Sequence, residues 1–389
     1  MSDNPIYILA VLMLIEGGIL YFSQRPSAAK FFRYLPSMFW IYFLPMMANT
    51  VGIIPKESEV YGNITKLCLP ASLVLLLLSV DIRAILRLGR TALAMMGAGV
   101  LGIMVGGPVV VLIYKHWLPP DAWKAIGALS ASWIGGSANM IAVKEATNTP
   151  DSVFLPAVIV DTIIPYAWMG ILIALSAVQG RFDRWNKSDM ALIETLQVRT
   201  TVASAVGGGR SIGKIIAMIG VGLGGTIVSL YIAGWMPVVN NLVNTMTWTI
   251  IIATVLGIGL SFTPVRSLES AGTSKLGFAV LFFVLASIGA RASMSHIAAS
   301  PILLLAGVTW VGIHAVFLII AARPLHSPMS LAASASQAAI GGPASAPVVA
   351  GIYNPQLAPV GLLLAVLGNI VGTFLGLCCS YLCGLAGKI

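Results

Sequence analysis

The sequence predicts an all-α integral membrane protein made of two related halves, and three observations lead to that fold class. The chain has 389 residues, of which 58% are apolar and 9% charged, whereas soluble domains carry about a quarter charged residues. Apolar runs of about 17 to 25 residues, the length of a membrane-crossing helix, recur along the chain. These runs do not alternate as barrel strands do. Motifs of the first half also return in the second half at a nearly constant distance.

The crossing helices follow from the apolar runs. In the first half they are predicted at 6–22, 37–54, 67–80, 91–114 and 152–177, and in the second half at 212–233, 247–262, 275–290, 301–321 and 356–384. Two more apolar segments, 122–147 and 328–351, are rich in Gly, Ser and Ala and are interrupted in the middle. The polar stretch 181–211 is predicted to be a flexible cytoplasmic linker between the halves.

The repeat assigns residues 1–180 to the first half and 212–389 to the second. Gly135-Gly136 corresponds to Gly341-Gly342, 206 residues later. Asp161 corresponds to Asn369, 208 residues later. Because matches in this order at nearly the same offset are hard to obtain by chance, they indicate an internal duplication.

Two arrangements of the halves fit the apolar pattern. If both interrupted segments re-enter from one side, each half has five crossings and the halves are inverted. If both segments cross, the chain has twelve spans and the halves are parallel. We favour inverted halves with the amino terminus outside, because only this arrangement puts the three main basic clusters on the cytoplasmic side.

The interrupted segments carry the main candidate site. Gly-Gly and Pro break the helical hydrogen-bond ladder in the apolar layer, where freed N–H and C=O groups need polar partners. Close packing through small residues is the alternative explanation, but two breaks at matched positions favour a solute site near mid-membrane. Its candidate residues are Ser132, Gly135, Gly136, Ser137, Asn139, Ser336, Gln337, Gly341, Gly342, Pro343 and Ser345.

Ion coupling is predicted at Asp161, which lies well inside an apolar run. A carboxylate there is costly and usually functional. Together with the neutral oxygen of Asn369 it suits one monovalent cation such as Na⁺, or a proton on Asp161 itself. Asn139 and Ser345 lie on the breaks and are candidates to complete the ion shell.

The other titratable groups give weaker evidence for a function. His314 lies inside an apolar run and is expected to make one buried hydrogen bond. The net charge of +9 comes from short loops between apolar runs, which is an orientation signal and not one for nucleic acid. A P-loop, a His-Glu-x-x-His motif and a Gly-x-Ser-x-Gly motif are all missing from the sequence, so we expect neither an enzyme nor a bound cofactor.

The two breaks also carry a family resemblance. Ile134-Gly135-Gly136-Ser137-Ala138-Asn139 and Ile340-Gly341-Gly342-Pro343-Ala344-Ser345 resemble the YjcL-like family, domain of unknown function 819, over nearly the whole chain. More distantly, the organisation is similar to the sodium-coupled glutamate, citrate and bile-acid symporters. That resemblance implies an elevator mechanism, in which a mobile transport domain carries the broken elements past a scaffold, and a homodimer in a bacterial inner membrane. The Gly-Gly-His-Gly-Thr pattern of glutamate carriers is missing, so the substrate does not carry over.

The leading hypothesis is therefore secondary active transport, with Na⁺- or H⁺-coupled symport of a small polar or anionic solute. An amino acid, a peptide fragment or an organic acid fits this class. Alternating access would follow from movement of the segments 122–177 and 328–384 against the other helices. A cation/proton antiporter is the main alternative, and a membrane-embedded enzyme or sensor is a further one.

Overall fold

The computed structural model describes residues 4–28, 31–32, 37–193, 212–238, 244–291 and 300–388, and all the regular structure in these ranges is helical. The helices of the first half are α1 (Pro5–Ser23), α2 (Ser37–Thr50), α3 (Glu59–Leu78), α4 (Ile82–Leu86), α5 (Arg90–Tyr114), α6 (Ala122–Gly135), α7 (Ser137–Ala146), α8 (Asp151–Leu175) and α9 (Gln179–Asn186).

The second half has a similar order, but without counterparts of α4 and α9 among the described residues. Its helices are α10 (Ile212–Ala233), α11 (Thr245–Ser261), α12 (Thr273–Arg291), α13 (Ser300–Ala322), α14 (Met329–Ile340), α15 (Gly342–Tyr353) and α16 (Ala358–Lys388). Short 3-10 helices lie at Pro26–Ala28, Ser176–Val178, Pro264–Ala271 and Pro355–Leu357. Each interrupted segment of the sequence is thus a pair of helices, α6 with α7 and α14 with α15.

The membrane character of the chain is confirmed. Among the described residues, eight helices are long and apolar enough to cross a bilayer. One predicted crossing is shorter than expected, since α2 has 14 residues and was predicted over 37–54. Helix α2 ends at Thr50, before the predicted 54, because Gly52 adopts a φ of 80° and Ile53 N turns back to bond Ala48 O at 2.8 Å.

One compact unit, unit 1, comprises 1–79, 148–162 and 207–300. Each half contributes its first three crossing helices to it: α1, α2 and α3 from the first, α10, α11 and α12 from the second. Helix α3 is the centre of this unit, since it packs against α10, α11 and α12. Gly257 and Gly225 both lie against Val74 of α3, and the missing side chains allow this close approach.

The second compact unit, unit 2, comprises 80–147, 163–206 and 301–389. It contains both broken segments, and α16 is its centre, in contact with α5, α6, α7, α14 and α15. Helices α5 and α13 also belong to it, together with the segments 122–177 and 328–384 except for 148–162, which falls in unit 1. Gly99, Gly102 and Gly106 bring α5 against His314 and Trp310 of α13.

The beginning of the predicted linker is helical in the structure. Residues 181–186 belong to helix α9, although the sequence predicted a flexible chain there. Asn186 holds this helix in place, because its buried side chain donates to Ala322 O at 3.2 Å and to Ser327 O at 2.9 Å. The rest of the predicted linker from 194 onward lies outside the described residues.

Candidate functional site at the two helix breaks

The first break lies between α6 and α7. Gly136 joins the two helices with a φ of 82° and a ψ of 178°, a conformation that L side chains rarely adopt. Its N–H still bonds Ser132 O, at 2.6 Å, and Ser137 then begins α7 without a side-chain cap. The two helices contact each other, so this segment forms a helical pair whose break leaves the N-terminus of α7 uncapped.

Asn139 ties the first break to α16. Its side-chain Nδ2 donates to Gly135 O and, at 3.4 Å, to Asn369 O. Its Oδ1 accepts a hydrogen bond from the hydroxyl of Thr373. A Cβ added to Gly136 would lie 3.5 Å from Asn369 Oδ1, so the Asn369 side chain faces the break. The buried amide of Asn139 therefore has partners on both its nitrogen and its oxygen.

The second break lies between α14 and α15. Helix α14 ends at Ile340, with Gly341 N bonded to Gln337 O at 2.8 Å. Gly342 begins α15 with a φ of 68°, and Pro343 takes the second position, where its missing N–H costs no helical bond. Helix α15 has no side-chain cap, which matches the uncapped start of α7 after the first break.

Gln337 bridges the second break. Its Nε2 donates to Ser345 Oγ at 2.8 Å and to Pro165 O at 3.3 Å. Ser345 lies in the second half and Pro165 in α8 of the first half, so the side chain joins the end of α14, the start of α15 and α8. Gln337 Oε1 is buried, and no donor to it is found in the part of the chain that the structure describes.

Each break is bonded to a residue of the other half of the chain, and the two bonded residues are at equivalent positions. The first break bonds Thr373 of α16, and the second break bonds Pro165 of α8. These two positions are 208 residues apart (373 − 165 = 208), which is the offset between Asp161 and Asn369. Each broken segment is thus held by the last long helix of the other half, the pattern expected of a duplicated chain.

Small residues bring α6 and α16 together. At every fourth position α16 has Gly368, Gly372, Gly376 and Ser380, and α6 has Gly127, Ala131 and Gly135. A Cβ atom added to any of these glycines would clash with the facing helix. Close packing through small residues was the alternative explanation of these segments. At α6 the close packing and the helix break are both present.

Ser336 belongs to a buried network one residue before Gln337. Trp168 Nε1 donates to Ser336 Oγ at 2.8 Å, and Ser336 Oγ lies 2.9 Å from His314 Nε2. His314 Nδ1 lies 2.8 Å from Gly99 O. Because a carbonyl only accepts, Nδ1 carries the proton, so the neutral ring accepts at Nε2 and the Ser336 hydroxyl donates to it.

The network resembles a nucleophile with its base, but its surroundings favour a structural role. Ser336 is 1% exposed, and its oxygen already accepts from Trp168, so no reacting group reaches it. His314 makes two hydrogen bonds where one was expected. We conclude that the network ties α5, α8 and α13 to the end of α14.

Of the predicted ion-coupling residues, only Asp161 belongs to a different unit from the rest of the site. Asp161 is half-buried in α8 and belongs to the part of that helix in unit 1. Asn369 is half-buried in α16 of unit 2, with Asn139 and Ser345. All the other candidate residues belong to unit 2. The two breaks are therefore in the same unit as Asn139, Asn369 and Ser345.

Three residues of the site were not found from the sequence. Thr373 and Trp168 are single polar or amphipathic residues in apolar helices, and Pro165 contributes only a backbone carbonyl. The offset of 208 was the one usable signal, because it pairs Thr373 with Pro165 in the same way as Asn369 with Asp161.

Comparisons with known proteins agree with the motifs. Residues 10–383 match the model of a family described as DUF819, protein of unknown function. A relative from Bacillus subtilis (strain 168), described as uncharacterized membrane protein YjcL, is 26% identical over 348 residues, which cover 85% of this chain and 86% of the relative. The resemblance that the two Gly-Gly motifs indicated is confirmed.

Proposed function

The chain belongs to the DUF819 family of membrane proteins, and on that premise we propose that it is a secondary active transporter. One observation carries the proposal: two helix breaks at matched positions in the first and second halves of the chain lie in one compact unit with buried polar side chains around them. Lipid cannot satisfy such backbone, so a break in an apolar segment needs protein, water, an ion or a solute.

The distribution of helices over the two units supports an elevator mechanism. Each half gives its first three crossing helices to unit 1 and its broken segment to unit 2. In the proposed mechanism unit 2 is the mobile part that carries the solute, and unit 1 is the scaffold. Inverted halves and an amino terminus outside belong to the same proposal, since the distribution of basic residues favours them. A homodimer in a bacterial inner membrane belongs to it as well, since the resemblance to ion-coupled symporters implies it.

The proposed solute is small and polar or anionic. The uncapped N-terminus of α7 favours negative groups. The groups proposed to surround it are Ser132, Ser137, Asn139, Gln337 and Ser345 with the backbone of the two glycine pairs. Ser336, the remaining serine candidate from the sequence, is already bonded to Trp168 and His314. Asp161 is the proposed coupling residue for Na⁺ or H⁺, with Asn369 as its neutral counterpart.

The proposal is tested with the Asp161→Asn variant in vesicles. Uptake of candidate amino acids, peptide fragments and organic acids is measured with the wild type under an imposed Na⁺ or H⁺ gradient. The variant should remain folded and lose gradient-driven uptake, because an amide cannot exchange a proton and holds a cation more weakly. Unchanged uptake with unchanged ion dependence would remove the coupling role of Asp161.

The same vesicles separate symport from antiport. A cation/proton antiporter changes the internal pH when a Na⁺ or K⁺ gradient is applied with no organic solute present. A H⁺-coupled symporter does so only when its solute is added, and a Na⁺-coupled symporter does not do so even then. A pH change of the first kind that Asp161→Asn abolishes would favour the antiporter.

A further inference from the structure

The two breaks match in sequence but differ in how their buried amides are satisfied. At the first break Asn139 uses both its nitrogen and its oxygen. At the second break Gln337 uses only its nitrogen, towards Ser345 and Pro165. The side chain of Gln337 is 0% exposed, and its Oε1 has no donor among the described residues.

The orientation of the Gln337 amide follows from chemistry. The carbonyl of Pro165 can only accept a hydrogen bond, so the atom that faces it, 3.3 Å away, must be the NH₂ group. A flipped amide would place two acceptors against each other. The oxygen therefore points away from Pro165 and remains a buried acceptor that needs a donor or a cation.

The end of α14 adds further acceptors at the same place. Gly341 N bonds Gln337 O, so the carbonyls of Ala338, Ala339 and Ile340 come after the last regular helical bond. All three residues are buried. The Gln337 side chain reaches Ser345 beyond this helix end, which puts its amide on the side towards which the carbonyls point.

We propose that the second break is a binding site for a monovalent cationic group, formed by Gln337 Oε1, the terminal carbonyls of α14 and Ser345 Oγ. Neutral oxygens and the negative end of a helix favour a cation. These groups include no carboxylate, so they suit one positive charge better than two. The same chemistry fits Na⁺ or the ammonium group of a solute.

The site does not include Asp161, which belongs to unit 1. Its physiological role rests on the proposed transport function, in which it would hold either a second coupling ion or one end of the solute. Binding itself is measurable without transport. A protein that binds Na⁺ here but moves no solute in vesicles would therefore contradict the transport function and leave the site standing.

The test is thermal unfolding of the purified full-length protein in detergent. NaCl, KCl and methylammonium chloride are each titrated at constant ionic strength against choline chloride. A cation that binds the folded state raises the unfolding temperature in proportion to the logarithm of its concentration. The wild type should show such a rise with Na⁺ or with methylammonium, and these two results separate a metal ion from a solute ammonium group.

Variants assign the effect to the second break. Gln337→Met keeps the length of the side chain and removes its oxygen, so the apparent affinity should fall by about tenfold or more. Gln24→Met is the matched control, because it makes the same substitution at an exposed glutamine outside the site, and it should keep the rise. If Gln337→Met does not fold, Ser345→Ala replaces it and should weaken binding while Gln337 remains.

Three results would overturn the proposal. The first is a wild type whose unfolding temperature does not distinguish the cations from choline. The second is a cation-specific rise that is the same in Gln337→Met, or in Ser345→Ala where that variant is the one that folds. The third is a rise that Asp161→Asn alone abolishes, since the cation would then bind at Asp161.

Discussion

The hydroxyl of Thr373 donates a hydrogen bond to the side-chain oxygen of Asn139, 234 residues away in the chain. This bond gives the oxygen of the buried Asn139 amide a partner, and that amide holds the first helix break against α16. It also explains why an amide is acceptable in an apolar segment, because an unpaired amide oxygen there would be costly. The break and the helix that supports it are therefore one structural feature, built from both halves.

Replacing Thr373 with valine should destabilise unit 2. Valine has nearly the shape of threonine, so packing is retained, but Asn139 Oδ1 loses its donor. The expected cost is about 1–3 kcal/mol for a buried acceptor left unsatisfied, measured by chemical or thermal unfolding in detergent. Thr254→Val is the control, because Thr254 is equally buried but bonds only Ile250 O of its own helix. Equal losses in both variants would show that the Asn139 bond contributes nothing specific.

The sequence predicted the positions of the breaks because their signal is local. Gly136 and Gly342 take backbone conformations that favour glycine, and glycine pairs in an apolar run are visible without any partner. The partners of the breaks are not local. Thr373 lies 234 residues from Asn139, and Pro165 contributes a backbone carbonyl that every residue type has, so no side-chain pattern identifies it.

The sequence also does not predict which helices belong to which unit. Helices α5 and α13 read as ordinary apolar spans, and their place in unit 2 depends on which helix their glycines face. Gly106 packs against Trp310, whose Nε1 also donates to Ile103 O at 2.9 Å. Hydropathy reports burial in lipid or protein alike, so it does not distinguish these glycines from Gly312, which has open space beside it.

Replacing Gly368 with alanine should be far more harmful than replacing Gly312. A Cβ on Gly368 would collide with the carbonyl of Ile134 on α6, and backbone cannot move aside as a flexible side chain can. We expect a loss of about 1–3 kcal/mol in unfolding free energy. Gly312 is in α13 with nothing within 4 Å of an added Cβ, so Gly312→Ala should be neutral or stabilising by up to about 1 kcal/mol. Similar stabilities of the two variants would contradict the close contact between α6 and α16.

His314 should be neutral with its proton on Nδ1. The acceptor on that side is the carbonyl of Gly99, and the hydroxyl of Ser336 donates on the other side. Nitrogen NMR of histidine-labelled protein distinguishes this tautomer, and His314→Gln assigns its signals among the four histidines of the chain. Ser336→Ala should shift the Nε2 signal and leave the Nδ1–H signal in place. A proton on Nε2 in the wild type would reverse the direction of the network.

Replacing Gly341 with alanine should disrupt the second break through the Gln337–Ser345 pair. The φ of Gly341 is −105°, which alanine adopts easily, so backbone strain is not the cause. A Cβ there would instead overlap Gln337 Nε2 and Ser345 Oγ, and the expected loss of stability is about 1–3 kcal/mol. Gly351→Ala in α15 is the control, because its nearest neighbour would be Ala358 Cβ at 3.9 Å, an ordinary contact.

The cause of the Gly341→Ala effect can be isolated with a second substitution. If the new methyl group acts by displacing the Gln337 amide, then Gly341→Ala should cost less in a Gln337→Ala background than in the wild type, since one of the two clashing groups is gone. Unfolding of the wild type, both single variants and the double variant gives this interaction energy, which should be about 1 kcal/mol or more for residues in contact. Strictly additive effects would mean that the two residues are independent, and the bridge across the second break would not be what requires glycine at position 341.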